Sequence, residues 1–209
     1  MVQYAFYYDN SRCTGCKTCV MACKDYKDTA LDVAYRKVYD VEGGQWERLD
    51  DGSYTTDAFL YHLSYSCGHC DDPACVAACP TTAMHKDKDT GIVSVDTTKC
   101  IGCGYCVMAC PYNSPKVDRT LGHSVKCDFC QERLAEGKAP ICVGSCPLRA
   151  LDYGTIDELR AKYEGCVGQI YPMPSDDVTR PNVLVKPSPA AESPKAQSGR
   201  VTNPKEVLE

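Results

Sequence analysis

The segment Cys100–Pro111, CIGCGYCVMACP, constrains this chain more than any other stretch. Its cysteines follow the spacing C-x2-C-x2-C-x3-C, and a proline comes directly after them. In bacterial sequences with this spacing, three thiolates hold one iron–sulfur cluster, and the fourth, one helical turn further on, holds a second cluster. Such a segment needs a partner segment with the same arrangement, because each supplies a ligand to the other.

Three further groups of four cysteines supply the partners. One of them, CTGCKTCVMAC, is identical to CIGCGYCVMAC at eight of eleven positions. The other two have the spacings C-x2-C-x4-C-x3-C and C-x2-C-x11-C-x3-C, each followed by proline. This internal repeat is the strongest signal in the chain. Sixteen of the 17 cysteines fall into the four groups, enough ligands for four [4Fe–4S] clusters.

The order of the groups along the chain favours a nested pairing, of the second with the third and of the first with the fourth. Pairing the first with the second would leave two strained long connections. Because the fourth cysteine of each group crosses to the partner's cluster, nesting predicts four ligand sets. They are Cys13, Cys16, Cys19 and Cys146 (set 1); Cys23, Cys127, Cys130 and Cys142 (set 2); Cys67, Cys70, Cys75 and Cys110 (set 3); and Cys79, Cys100, Cys103 and Cys106 (set 4).

Zinc sites and disulfides are the alternative uses of these cysteines. Zinc ribbons place two C-x2-C pairs on either side of a long loop, rather than quartets closed by C-x3-C-P. Disulfides are disfavoured, because the third and fourth cysteines of each group would sit on one short helix. Cys166 matches no group, and we expect a free or buried thiol there.

Composition and charge exclude several classes of protein. The formal net charge of −5, with no basic stripe, argues against nucleic-acid binding. The N-terminal MVQYAFYYD lacks the basic start and apolar core of a signal peptide. No run approaches the roughly 18 apolar residues of a membrane span. We therefore expect no direct span, and a link to a membrane only through a partner.

The segments between the cysteine groups indicate an α+β fold of two nested bacterial-ferredoxin-like units, each for two [4Fe–4S] clusters, with a β insertion and an extended C-terminal tail. The predicted divisions are 1–32 with 120–163 (outer unit), 33–65 (β insertion), 66–119 (inner unit) and 164–209 (Pro-rich tail contacting partner subunits). Strands are expected at Tyr4–Asp9, Val33–Val41, Thr55–Tyr65, Ile92–Val95 and Ala150–Tyr153. Short helices are expected after the first group, at Gln131–Glu136, and at Asp157–Tyr163 with Thr155 as cap.

The C-terminal stretch changes character. Residues 172–209 hold seven prolines and no aromatic residue, so they cannot bury enough apolar surface to fold alone. We expect them to be ordered where they lie against the domain or a partner, with Val183–Val185 adding to a sheet edge. Trp46, the only tryptophan, is expected to pack in the core of the insertion or at an interface.

Polar residues beside the ligands are candidates for tuning them. His69 lies inside the second group and is expected to form hydrogen bonds near a cluster rather than to be a ligand, since that group already has four cysteines. Positive charge beside a ligand raises a cluster's potential. The cations that flank ligands are Lys17, Lys99, Lys126 and Arg149. For each of them alone, a solvated surface residue is the alternative.

The sequence contains no nucleotide fingerprint, nucleophile triad or paired catalytic carboxylates. It therefore indicates an electron conductor between two redox partners, not an enzyme on its own. A free-standing polyferredoxin is the alternative, but the insertion and the Pro-rich tail favour a bound subunit. A metal-dependent structural or regulatory module is the third hypothesis, and iron and sulfide analysis would separate it.

Nearly the whole chain resembles the iron–sulfur B subunits of dimethyl sulfoxide reductases, in the electron-transfer subunit family of molybdopterin oxidoreductases. The Cys motifs are shared across that family, and the flanking sequences point to the dimethyl sulfoxide reductase branch. The stretches that carry the resemblance are SRCTGCKTCVMACKDYKD, CGHCDDPACVAACP, CIGCGYCVMACPY, KCDFC with ICVGSCPLRALDYG, IDELR and NPKEV.

This resemblance implies four [4Fe–4S] clusters with the nested pairing. It implies docking on a molybdopterin-guanine-dinucleotide catalytic subunit and, in respiratory members, on a membrane anchor subunit that oxidises menaquinol. In the family, the cluster matching set 1 faces the molybdenum subunit and the one matching set 4 faces the quinol. Sulfoxides and N-oxides are the family's usual substrates, and the catalytic subunit selects among them.

Two branches of the family differ from this chain. Nitrate reductase B subunits carry Trp where this chain has Cys103 and hold a three-iron cluster there, so four four-iron clusters are expected here. Formate dehydrogenase B subunits end in a membrane helix, unlike this polar tail. Because such complexes are often exported folded by a signal on the catalytic partner, the resemblance implies membrane association through partners, on the exported face of the cytoplasmic membrane or in the cytoplasm.

Overall fold

The computed structural model describes residues 2–207, so residues 1 and 208–209 of the predicted outer unit and tail lie outside the described part. The strands are β1 (Tyr4–Asp9), β2 (Lys37–Gly43), β3 (Trp46–Arg48), β4 (Tyr54–Thr56), β5 (Phe59–Tyr65), β6 (Met84–Lys86), β7 (Val93–Val95), β8 (Lys116–Asp118), β9 (His123–Val125), β10 (Leu151–Thr155), β11 (Val183–Lys186) and β12 (Arg200–Val201). The helices are α1 (Thr18–Tyr26), α2 (Ala74–Ala77), α3 (Tyr105–Ala109), α4 (Gln131–Ala135), α5 (Ile141–Gly144), α6 (Ile156–Lys162), α7 (Pro189–Glu192) and α8 (Pro204–Val207), with a 3-10 turn at Pro194–Ser198.

The first sheet is built on β1, whose aromatic sequence YAFYYD favours a strand and is buried almost throughout. β10 pairs with one edge of β1 antiparallel, and β11 pairs with the other edge in parallel. Phe6 stacks on Phe129 with ring centroids 4.1 Å apart, and Tyr7 stacks on Tyr163. The N-terminal strand therefore holds together the chain before the first cysteine group and the chain after the fourth.

The second sheet lies in the insertion, where β2 pairs antiparallel with β5 and the short β12 pairs with β2. Val41 and Leu63 are fully buried in the same apolar core as Phe6, so the insertion and the first sheet share one core. β3 and β4 form a separate hairpin. Gly44, between β2 and β3, and Gly52, between β3 and β4, both have positive φ values, which glycine adopts without strain.

Two helix pairs reproduce one arrangement. α1 packs against α5, and α2 packs against α3. α1 and α5 belong to the first and fourth cysteine groups, and α2 and α3 to the second and third. Each pair has its own accompanying β structure, which is the first sheet for the outer pair and the hairpin β6–β7 for the inner pair. The contacts thus follow the order that nesting predicts.

Two predicted strand bounds need correction. The strand expected at Val33–Val41 begins only at β2, because the Lys24 ammonium donates to the carbonyl oxygen of Val33 at 2.6 Å and holds that segment as a loop. The strand expected at Thr55–Tyr65 is broken into β4 and β5. There the Asp57 carboxylate accepts the N–H of Gln45 at 2.8 Å, which turns the chain between two different pairings.

Trp46 is 68 % exposed on the β3–β4 hairpin, so the expectation that it packs in the core of the insertion is wrong. The alternative, that it lies at an interface, stays a prediction. The helices and the remaining strands expected from the sequence are present, within a few residues. The predicted cap of α6 is confirmed as a capping box, in which Thr155 and Glu158 bond reciprocally.

The Pro-rich tail is ordered where it lies against the rest of the chain. The edge strand expected at Val183–Val185 is confirmed as β11. Further on, the Asn203 side chain accepts the N–H of Asp40 at 2.9 Å and donates to the carbonyl of Val38 at 2.8 Å, which fastens the tail to β2. Between residues 2 and 207, no helix combines the length and the apolar character needed to cross a bilayer.

The edge strand of the tail gives a test of this packing. Val185 is fully buried and Val178 is 70 % exposed. We expect Val185→Ala to lower the free energy of unfolding by about 2 kcal/mol, because it removes buried methyl groups. Val178→Ala, the matched control, should change it by less than about 0.5 kcal/mol. Anaerobic thermal unfolding followed by circular dichroism measures both, and equal midpoints would show that β11 is not part of the cooperative core.

Candidate iron–sulfur sites

One small cavity is lined by all four thiols of set 1, which are Cys13, Cys16, Cys19 and Cys146. Hydrogen-bond donors face these sulfurs. The N–H of Ala150 donates to Sγ of Cys146 at 3.3 Å, and Thr18 Oγ1 lies 3.4 Å from Sγ of Cys16. The Thr18 hydroxyl and N–H lower the pKa of Cys16, which favours the thiolate form that binds metals.

The loop that carries set 1 requires a glycine. Gly15 has a φ of +66°, and a Cβ built there would lie 2.6 Å from the ring of His62. Nδ1 of His62 lies 2.8 Å from Oδ1 of Asp40. The first cysteine loop is therefore packed directly against β2 and β5 of the insertion, which positions the cavity between the insertion and the first sheet.

A second small cavity is lined by all four thiols of set 4, which are Cys79, Cys100, Cys103 and Cys106. The N–H of Met84 donates to Sγ of Cys79, and the N–H of Ser124 donates to Sγ of Cys100, both at 3.3 Å. Burial by itself would raise the pKa of Cys79, but the bonds from Met84 and from Thr81 outweigh it and lower that pKa.

The thiols of set 2 lie close enough to act on one another electrostatically. Burial, and then the charges of Cys142 and Cys130, raise the pKa of Cys23 to about 12. Burial, together with the charges of Cys67 and Cys23, raises the pKa of Cys127. All four thiols of this set are buried. Such basic thiols ionise at neutral pH only when a cation such as iron is bound.

In set 3, too, burial and the neighbouring thiols raise the pKa values of the cysteines. Burial raises the pKa of Cys75 to about 12, and the charges of Cys67, Cys110 and Cys70 add to it. Burial likewise raises the pKa of Cys70 to about 11. The structure therefore places the thiols of set 1 and of set 4 around one cavity each, and thiols of sets 2 and 3 within electrostatic range of one another. Their role as ligands stays a prediction.

The sets border one another in the order 1, 2, 3, 4. Cys142 of set 2 acts on Cys19 of set 1, and Cys67 of set 3 acts on Cys127 of set 2. Cys75 of set 3 and Cys106 of set 4 are buried in one small apolar cluster between α2 and α3. The arrangement is a row, with sets 1 and 4 at its ends.

Buried donors without a protein acceptor test whether a cofactor fits. In the part of the chain that the structure describes, Nε of Arg36 and the hydroxyl of Tyr65 are buried and have no hydrogen-bond partner. Arg36 lies beside thiols of sets 1 and 2, and Tyr65 lies beside thiols of set 3. An unsatisfied buried donor costs about 1–3 kcal/mol. The sulfurs of bound clusters are acceptors that would remove this cost, so the residues fit the group.

The thiol positions do not suit single ions. Across residues 2–207, no three His, Cys, Asp or Glu side chains converge closely enough to hold one metal ion. Zinc needs donors about 2.0–2.3 Å from one centre. All 17 cysteines lie within the described residues and none of them forms a disulfide.

The four flanking cations and His69 have different surroundings. Lys17 pairs with Asp40 and Glu206, and Lys99 pairs with Asp96. Arg149 is exposed. Lys126 alone among these four is buried, and its ammonium donates to the carbonyls of Val93 and Cys127. His69 is buried too: its Nδ1 accepts the N–H of Val93 at 3.0 Å and its backbone N–H donates to Cys67 Sγ at 3.5 Å. This contact agrees with the expected hydrogen bonding near a ligand.

Arg36 is the residue that sequence analysis missed. It lies in no cysteine group, and the pattern around it predicts a β strand. Its signal is indirect, since an arginine next to the buried Val38 and Val41 is unusual unless it has a charged partner. Cys166 is partly exposed and lies in none of the four sets.

Comparison with known proteins agrees with these sites. A family model described as a 4Fe-4S dicluster domain matches residues 58–156, and one described as a 4Fe-4S binding domain matches residues 4–25. The chain is 53 % identical over 207 residues to the B subunit of the anaerobic dimethyl sulfoxide reductase of Haemophilus influenzae, a match that covers 99 % of this chain and 100 % of the relative. It is 53 % identical over 205 residues to the corresponding subunit of Escherichia coli K12, covering 98 % of each. It is also 38 % identical over 168 residues to a thiosulfate reductase electron transfer subunit of Salmonella typhi, covering 80 % and 82 %.

The fold and the cysteine sites define an α+β, ferredoxin-like iron–sulfur protein that binds [4Fe–4S] clusters. Its relatives are electron-transfer subunits of reductases and not the catalytic subunits. The protein belongs to the family of the B subunits of anaerobic dimethyl sulfoxide reductases.

The composition of set 4 can be tested with one pair of variants. Cys103 lines the set 4 cavity, and Cys166 lies in none of the sets. We expect Cys103→Ser to alter the EPR signal of one cluster and to lower the iron content, because a serine oxygen is a poorer ligand for iron–sulfur clusters than a thiolate. Cys166→Ser, the matched control, should leave spectrum and iron unchanged. If Cys103→Ser had no effect, or if Cys166→Ser lost iron, the assignment would be wrong.

Proposed function

We propose that this chain carries four [4Fe–4S] clusters, one in each set, and relays electrons between a donor and a molybdopterin-guanine-dinucleotide catalytic subunit. In the proposal, the donor is a membrane anchor subunit that oxidises menaquinol, and the complex associates with the membrane through it. A bound cluster of this kind accepts and releases one electron at a potential that its surroundings set. The chain's own residues hold the thiolates, exclude water from them and fix the distances between the sets.

The observation that carries the proposal is the row of sets together with its exposure. Cys16 in set 1 and Cys103 in set 4 are exposed, whereas every thiol of set 2 is buried. A relay needs accessible ends and a middle that solvent does not reach. The order of the sets supplies the accessible ends, and between them lie the buried set 2 and set 3, of which two thiols are half-buried, Cys70 and Cys110.

Exposed apolar side chains surround each accessible end. Near set 1, Met21 is 62 % and Leu148 is 41 % exposed. Near set 4, Ile101 is 65 %, Tyr105 is 52 % and Met108 is 75 % exposed. Ile101 and Leu148 also line the two cavities. Clustered exposed apolar residues mark protein–protein contact surfaces. We infer that both ends are docking faces, which favours a bound subunit over a free-standing polyferredoxin.

The nested division into two ferredoxin-like units is part of the proposal. The packing of α1 on α5 and of α2 on α3 supports it, because each pair unites the two groups that would exchange their fourth cysteines. We also propose that set 1 faces the catalytic subunit and set 4 faces the donor, as the family resemblance implies. The relatives' names connect them to dimethyl sulfoxide and thiosulfate reductases. We propose that the terminal electron acceptor of this complex is an organic sulfoxide or a sulfur oxyanion.

Three matched charge substitutions on exposed apolar residues test the two faces. We expect Met21→Glu to weaken association with the catalytic subunit and Met108→Glu to slow quinol-dependent reduction, each by at least tenfold, because a charge in an apolar interface is unpaired. Val178→Glu, at a residue that is 70 % exposed, should do neither. The complex is co-purified anaerobically, its iron is counted against about 16 atoms per chain, and reduction is followed by absorbance.

The outcomes separate the hypotheses. One outcome is that the chain is purified alone as an iron-loaded monomer, with all three variants exchanging electrons equally well. That outcome would show that the protein is a free-standing electron carrier. A folded and active chain without iron would contradict the cluster assignment itself.

A further inference from the structure

Arg36 is a buried cation at the boundary between sets 1 and 2. The residue is 2 % exposed and lies just before β2. The thiols that act on its guanidinium are, in order of strength, Cys142, Cys19, Cys127 and Cys23. Three of these four belong to set 2 and one belongs to set 1. The effect is mutual, since Arg36 in turn lowers the pKa of Cys19 and Cys23 against the larger effect of burial.

The guanidinium is held in one position by neutral groups. Nη1 donates to Oγ of Ser64 at 3.1 Å, and Nη2 donates to Oγ of Ser66 at 3.0 Å. Its central carbon lies 4.8 Å from the centroid of the Phe6 ring. Ser64 Oγ is also 3.5 Å from Sγ of Cys19. Nε has no partner within residues 2–207. These contacts hold the guanidinium in one position, and because the contacting groups are uncharged they leave its positive charge in place.

No carboxylate in the described part of the chain forms an ion pair with Arg36, and the charges that favour its cationic form are thiolates. A buried charge without a partner is strongly unfavourable. Lys17 and Lys99 are different, because carboxylates beside them cancel much of their fields. The field of Arg36 is therefore directed at the sulfurs of sets 1 and 2.

We propose that Arg36 is a positioning residue that acts as the counter-charge of the clusters held by sets 1 and 2 and raises both reduction potentials. This rests on the proposed function. Reduction adds one electron, and thus one negative charge, beside a guanidinium that keeps its own protons, so charge is balanced without proton uptake. A fixed cation stabilises the reduced state more than the oxidised state. Higher potentials at sets 1 and 2 favour electron transfer from set 4, next to the donor, toward set 1, next to the catalytic subunit.

The test is a reductive titration of the complex with dithionite, followed by EPR. We expect Arg36→Gln to lower the equilibrium constant for reduction of the set 2 cluster about tenfold, which is about 59 mV for a one-electron couple. The potential of the set 1 cluster should shift in the same direction, and that of set 4, at the far end, should not change. Arg36→Lys keeps the charge and should stay within about threefold of the unmodified complex. Arg160→Gln removes one positive charge from an exposed position and is the control for net charge.

Each outcome supports or overturns the inference. With full iron content in Arg36→Gln, an unchanged set 2 potential would overturn the inference and leave the proposed function intact. Iron far below about 16 atoms in the unmodified complex would instead contradict the proposed function. If Arg36→Gln fails to assemble, Arg36→Lys decides, because a tenfold fall in that charge-retaining variant overturns the inference and retained potentials support it. An equal shift in Arg160→Gln would reduce the effect to net charge and would also overturn it.

Discussion

Burial of thiol groups is the constraint on which the rest of this structure depends. Cys19, Cys67, Cys127, Cys142 and Cys146 are members of the main apolar core, together with the aromatic residues of β1. The side chains that are suited to binding iron are thus also the centre of the packing. The predicted metal ligands and the core of this chain are largely the same residues, and in such proteins metal binding is coupled to folding. Short helices and small sheets are sufficient here, since the clusters would cross-link them.

Electrostatics follows from that constraint. Sulfurs that become anionic on binding iron, inside a protein whose formal net charge is already −5, require cations and hydrogen-bond donors nearby. The structure supplies backbone N–H groups at the set 1 and set 4 sulfurs. It supplies Arg36 beside sets 1 and 2, and Lys126 beside Cys75 and Cys127. Hydrogen bonds and buried cations therefore differ along the row, so its clusters need not share one potential.

The insertion and the tail pack around the four cysteine sets. The insertion contributes Ser64 and Arg36 to the boundary between sets 1 and 2, and His62 packs against the glycine in the first cysteine loop. The tail contributes β11 to the first sheet and fastens itself to β2 through Asn203. Neither segment contains a predicted ligand. Both are nevertheless part of the environment that holds the ligands, which explains why the comparison with relatives extends over almost the whole chain.

The four cysteine groups and most of the helices and strands could be predicted from the sequence alone, because ligand spacing, turn residues and capping residues are local chemistry; the nested order of the groups stays a prediction. The capping box of α6, for example, is formed by Thr155 and Glu158, which are only three residues apart. The exposure of Trp46, the loop at Val33 that Lys24 holds, and the position of Arg36 between two cysteine sets, with no ion pair to a carboxylate within residues 2–207, became known only from the three-dimensional structure. Each of these depends on groups distant in sequence or on the absence of a neighbour. Burial and electric field are sums over such groups, and no local pattern contains them.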